Sequence, residues 1–304
     1  NQFPPTKGNV IGWAQIVLGY PGPAQSQVNQ ALALNPTTMF LALGNNDALV
    51  PAISGFLPLL TPLDVFSSQF STVISRLATS RATLLVANIP DVTQIPYFTS
   101  PRTLAQQAGV PLSKVLTTLG IQEGDLLRRT AVSIALDILA GGAPPAPFVW
   151  PTSCPLPVPG LLPPGVPLPC ILSATDGARI RSATVAYNAV IREQTARYGA
   201  TLVDLNALVT KISRNGYKAG GYCLSTGFLG GLFSLDGIHP SNSGYGVIAN
   251  LFIDRLNSAG NTRIKEVKVS KIAKVDPVVF PGSMCGDDDD DDDDDDDSDD
   301  DDDN

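Results

Sequence analysis

Thr38-Met39-Phe40-Leu41-Ala42-Leu43-Gly44-Asn45-Asn46-Asp47 is the stretch on which the fold turns. Residues 39–43 form an unbroken apolar run, too short for a helix and stopped by Gly44. Such a run reads as a strand buried on both faces, the kind found in parallel sheets. Asn45, Asn46 and Asp47 then read as the loop at its carboxyl end. Thr83-Leu84-Leu85-Val86-Ala87 repeats the pattern and stops at Asn88-Ile89-Pro90-Asp91. Between the two lies a helical pattern over residues 61–79. Thr61 is its expected cap and Pro62 its first turn, and Phe66, Phe70, Val73, Ile74 and Leu77 share one face. Strand, loop, helix and strand in this order make a crossover, and a crossover implies a parallel sheet.

Working outward, residues 27–34 read as a short helix ended by Asn35-Pro36, with the first 26 residues irregular. Residues 104–120 and 126–139 read as helical. Residues 141–169 are rich in proline and glycine and too long for an ordinary connection. With the residues up to 173 they are a candidate insertion or lid. A long helix follows over 176–198, with Ile180, Tyr187, Val190 and Ile191 turned inward. Residues 201–204 form a third short strand, and the glycine-rich stretch 216–232 suggests a hairpin. A helix over 241–257 presents Gly244, Ile248, Phe252 and Leu256 on one face. Residues 1–260 therefore read as one domain carrying the insertion 141–173. A basic segment follows at 261–286, then a poly-Asp tail at 287–304, expected to be disordered by self-repulsion.

The net charge of −9 conceals a basic body. The tail holds 16 of the 29 acidic residues, and the other 13 against 20 Lys and Arg leave about +7. The basic residues are scattered apart from Arg263, Lys265, Lys268, Lys271 and Lys274, with no aromatic platform, which argues against nucleic acid as a partner. No run of 18 apolar residues occurs, so no membrane span is expected. The four cysteines lack the close spacing of a metal site, and neither metal nor cofactor is expected. Cys154 and Cys170 bracket the proline-rich loop. A disulfide between them would stabilise the fold by about 3 kcal/mol on the loop-entropy model; the alternative is a pair of buried thiols. The pairing of Cys223 and Cys285 is left open.

The chemistry is concentrated in Leu235-Asp236-Gly237-Ile238-His239-Pro240, which holds the only histidine of the chain. Aspartate three residues before histidine, on a loop entering a helix, suits a carboxylate–imidazole pair. His239 would be a general base suited to neutral pH, and Asp236 would fix its tautomer. The loop after the first strand lies at the carboxyl end of the sheet, where ligands bind in open α/β folds. An asparagine there can donate to an oxyanion.

Gly44-Asn45-Asn46-Asp47 resembles the G-x-N-D block of the SGNH (GDSL-type) esterases and lipases. Asp236-Gly237-Ile238-His239-Pro240 resembles their D-x-x-H-P block. The resemblance covers roughly residues 25–258. It implies a three-layer α/β/α, flavodoxin-like parallel sheet, and hydrolysis of a small carboxylic ester by a Ser-His-Asp triad. By position, His239 would be the base, Asp236 its partner and Asn46 the oxyanion asparagine; the substrate-binding residues are unknown. Together with a disulfide, which needs an oxidising compartment, it implies a secreted or periplasmic protein.

The sequence departs from this family at the nucleophile, since no Gly-Asp-Ser occurs in it. The expectation is that the serine block lies outside this chain, leaving the domain N-terminally incomplete. The alternative is a catalytically inactive SGNH-fold module with a binding or structural role. Ser225, Ser234, Ser241 and Ser243 lie near His239 in sequence, but none has the strand-to-helix setting that exposes a nucleophile. Ser241 instead suits a helix cap.

Overall fold

The computed structural model describes residues 26–142, 150–151, 154, 168–260 and 262–280. Helix α1 (Gln27–Ala33) leads into strand β1 (Thr38–Leu41), helix α2 (Asn45–Ser54), helix α3 (Leu63–Leu77) and strand β2 (Thr83–Ala87). An inserted unit follows, built from β3 (Phe98–Thr99), α4 (Pro101–Ala108), α5 (Leu112–Leu119), β4 (Leu126–Arg128), α6 (Arg129–Leu139) and β5 (Ile171–Leu172). The chain then runs through α7 (Ala174–Arg197), β6 (Thr201–Val203), α8 (Leu205–Asn215), β7 (Tyr217–Ala219), β8 (Tyr222–Leu224), α9 (Asn242–Gly260) and α10 (Val269–Ala273).

The protein is a mixed α/β fold around a parallel sheet ordered β1-β2-β6. Met39 pairs with Leu84 and Leu41 with Val86, while Val86 pairs with Leu202 on the other side. Side chains alternate across a strand, and here both sets are buried. Met39, Leu41, Leu84 and Val86 pack with Phe66, Phe70, Ile74, Ile180, Tyr187 and Ile191 of α3 and α7. Leu85, Ala87 and Val203 pack on the opposite face with Ile248, Leu251, Phe252 and Leu256 of α9. Helices on both faces explain why the strands read as continuous apolar runs. Phe40, 60% exposed, still sets its ring edge-on against Phe252 at 5.1 Å.

The inserted unit has a core of its own. Strands β3, β4 and β5 form a small antiparallel sheet, backed by Leu104, Val115, Leu119, Ala131, Ala135 and the Cys154–Cys170 disulfide. Cys223 is disulfide-bonded as well. Most of the candidate lid, together with Cys285 and the poly-Asp tail, lies outside the described residues. Residues 262–280 pack along α9. There, Asn250 and Asn257 bond the backbone of Val267 and Ile264. Buried Asp276 accepts from the backbone N–H of Ser243 at 2.6 Å and its hydroxyl at 2.8 Å, at the start of α9.

Several elements differ from the sequence reading. Asn45–Asp47 is the first turn of α2, with Gly44 at φ 104° as its cap. The helix continues through Pro51 to Ser54. Thr61 caps nothing; its hydroxyl donates to Asp47 at 2.6 Å and α3 begins after Pro62. The stretch 104–120 is two helices, α4 and α5, split at Gly109, and Leu126–Arg128 is strand. Helix α8 is capped by Asp204, which accepts from Ala207 N–H at 2.9 Å. Among the described residues, no helix is long and apolar enough to cross a membrane.

Candidate functional site

The loops after β1 and β2 leave the carboxyl end of the sheet. Gly44 is required where β1 turns into α2. Its φ lies in the left-handed region, and an added Cβ would stand 2.7 Å from the Ile89 side chain and 3.0 Å from the Phe66 ring. Asn46 sits exposed in the first turn of α2, and its side chain has no hydrogen-bond partner among the described residues. Asp47 is committed to structure through Thr61. The Thr61 carbonyl in turn accepts from Tyr187, whose phenol is pushed up to about 12 by burial and the nearby Asp47 charge.

The Asp236–His239 loop is closed by its own backbone. Ser234 N–H donates to the His239 carbonyl at 2.8 Å, and Gly237 N–H to the Ser234 carbonyl at 2.9 Å. Gly237 adopts φ 72° against the inserted unit, where a Cβ would meet the Tyr97 nitrogen at 2.8 Å. The Gly237 carbonyl accepts from that same Tyr97 N–H at 2.9 Å. The loop is thus seated on residues 96–97, and only glycine fits the seat.

Inside the loop, Asp236 collects four donors. Its Oδ1 accepts from the Ser234 hydroxyl at 2.6 Å and from the N–H groups of Ile238 and His239 at 2.8 and 3.0 Å. Its Oδ2 faces His239 Nδ1 at 2.6 Å. Burial alone raises the Asp236 carboxyl, but the bonds from His239, Ser234 and the two backbone N–H groups outweigh it and hold the group well below the usual carboxylate range. Asp236 is therefore ionised at neutral pH and can only accept. The proton on a neutral His239 must then sit on Nδ1, which leaves Nε2 with its lone pair. The His239 side chain is 67% exposed, and Nε2 has no partner among the described residues.

The structure thus brings Asp236 and His239 into direct contact. Asn46 follows a strand that ends at the same end of the sheet, with no hydrogen bond to the pair. None of the four nearby serine hydroxyls hydrogen-bonds the His239 ring. Ser241 donates to the Gly231 carbonyl and accepts from Gly244 N–H, and Ser243 is spent on Asp276. Ser225 accepts from Gly227 N–H, and Ser234 serves the carboxylate.

One neighbour was not visible in the sequence. Arg129, the first residue of α6, bonds the Tyr97 carbonyl through its N–H at 2.9 Å. Its guanidinium carbon lies 3.7 Å from the centre of the Phe228 ring. Burial lowers the pKa of Arg129, and the Asp236 charge opposes that shift. The available signal was Arg128-Arg129 interrupting an otherwise apolar stretch.

No other group near the pair suggests a metal; among the described residues, no three His, Cys, Asp or Glu side chains gather in a metal-holding group. Comparison with known proteins finds no matching family model, no matching curated protein and no matching solved structure.

Proposed function

We propose that this protein is a carboxylic ester hydrolase of the SGNH type, with a flavodoxin-like three-layer α/β/α body. His239 is its general base, Asp236 the orienting carboxylate and Asn46 an oxyanion donor. The attacking serine comes from outside the described residues. The observation that carries this reading is the 2.6 Å Asp236–His239 contact, which leaves Nε2 bare at the surface. Such a nitrogen takes a proton from a hydroxyl nucleophile and returns it to the leaving alcohol. Exposed Phe228, Leu229 and Leu235 in the neighbouring loops offer apolar surface to an acyl or alcohol group. The Cys154–Cys170 disulfide supports a secreted or periplasmic setting.

The test is fluorophosphonate labelling and 4-nitrophenyl butyrate hydrolysis by the native gene product. Labelling and turnover of the native product, both lost in His239→Ala, are the expected result. A native product that shows neither is not an ester hydrolase. The second reading, an inactive SGNH-fold binding module, is favoured by one observation: no described hydroxyl touches His239 Nε2.

A further inference from the structure

We infer that Arg129 is an anion anchor beside the Asp236–His239 pair and that the ligand of this site carries a carboxylate. The inference deepens the hydrolase reading and rests on it for what the ligand is, an ester with a free carboxylate in its acyl or alcohol part. Binding itself does not require turnover.

Three observations converge. The guanidinium carbon sits over the Phe228 ring at 3.7 Å from its centre, a cation–π contact that restrains the group before any ligand arrives. A fixed planar fork loses little freedom when it grips a carboxylate.

The fork has no hydrogen-bond acceptor among the described residues. Nη1 is buried without a hydrogen-bond partner. The other guanidinium nitrogens also lack one among the described residues and stay open to solvent. A buried N–H with no acceptor is unfavourable, and Nη1 is one of three such side-chain atoms on residues 128–130 among the described residues, with Arg128 Nη2 and Thr130 Oγ1. Arg102 and Arg255, with side chains 69% and 45% exposed, leave no buried nitrogen without a partner.

Position is the third observation. The Arg129 N–H bonds the Tyr97 carbonyl, and the Tyr97 N–H bonds the Gly237 carbonyl. Two backbone hydrogen bonds therefore tie the Arg129 main chain to the loop of the pair, and its guanidinium feels the Asp236 charge. That charge also selects among anions. The Arg129 and Asp236 charges offset one another, so each negative charge on a ligand also meets repulsion from Asp236, and a singly charged carboxylate is disfavoured less than a phosphate dianion.

The chain has one histidine, so the His239 ring proton gives one assignable NMR signal next to the site. The test titrates the full chain with monomethyl succinate and with dimethyl succinate, which lacks the carboxylate. Monomethyl succinate is expected to shift the His239 signal saturably, at least about tenfold more tightly than the diester, a difference of about 1.4 kcal/mol. Arg129→Gln should erase that preference, and Arg129→Lys should keep part of it. Inorganic phosphate should bind more weakly than monomethyl succinate. Equal binding of monoester and diester by the wild-type chain overturns the inference, as does a preference that survives in Arg129→Gln. The wild-type comparison stands even if a variant fails to fold. Carboxylate preference without turnover by the native product would sink the hydrolase reading and leave the anchor in place. Turnover without the preference would do the reverse.

Discussion

Two loops, the one that leaves β2 and the one that leads into α9, spend their polar groups in opposite ways. In residues 88–94 every polar side chain has a partner. Asn88 donates to Asp204 at 2.7 Å and accepts from Asn206 N–H at 2.9 Å. Asn188 holds both the N–H and the carbonyl of Ile89, and Asp91 takes Thr93 and Gln94. This loop is a rivet between β2, α7 and α8. In residues 234–239 the carboxylate is equally well matched, but the matching stops at His239 Nδ1. Nε2 and the neighbouring guanidinium are held in place with nothing to bind. A polar network that closes on itself adds stability; one that fixes a group and leaves its far side open is arranged for a visitor.

The contrast can be broken most severely at Gly237. Gly237→Ala places a Cβ against the backbone of residues 96–97 at a positive φ. It should cost about 3 kcal/mol in denaturant unfolding and displace the pair. A loss under about 0.5 kcal/mol would mean that the loop is not seated there. Asn88→Ala comes next. It orphans buried partners and should cost about 2 kcal/mol, while the His239 NMR signal stays unmoved. Asp236→Asn should cost less in stability but should remove turnover by the native product along with the ring's orientation.

Acid sharpens the same contrast. The folded Asp236 carboxyl is held below its unfolded value near 3.9. The stability it contributes is complete above about pH 4 and drains away as pH falls below it. In Asp236→Asn the acid side of the stability profile should be correspondingly flatter, which urea melts at pH 2 to 6 would show. His239→Ala sits at the bottom of the scale. An exposed ring with one bond should leave stability within about 0.5 kcal/mol, while abolishing turnover by the native product.

The sheet core was legible from residues 39–43 and 83–87 because both faces are covered and no alternation blurs the run. Helices α7 and α9 were legible from length and caps. Helix α2 was not, since Gly44 ends the apolar run and Asn45–Asp47 have the residue types of a turn. The inserted sheet escaped notice because β3 and β5 are two residues each, too short for any period. Asp236 and His239 could be read because their contact is local in sequence. Arg129 could not, because its meaning depends on Phe228 and Tyr97, far away along the chain.

The most direct measurement is the 15N NMR spectrum of the His239 ring, at a pH where the imidazole is neutral. The account predicts a protonated Nδ1 bonded to Asp236 and a bare Nε2, with this preference lost in Asp236→Asn. A ring protonated on Nε2 in the wild-type chain would contradict it, because that nitrogen could then take no proton from a nucleophile.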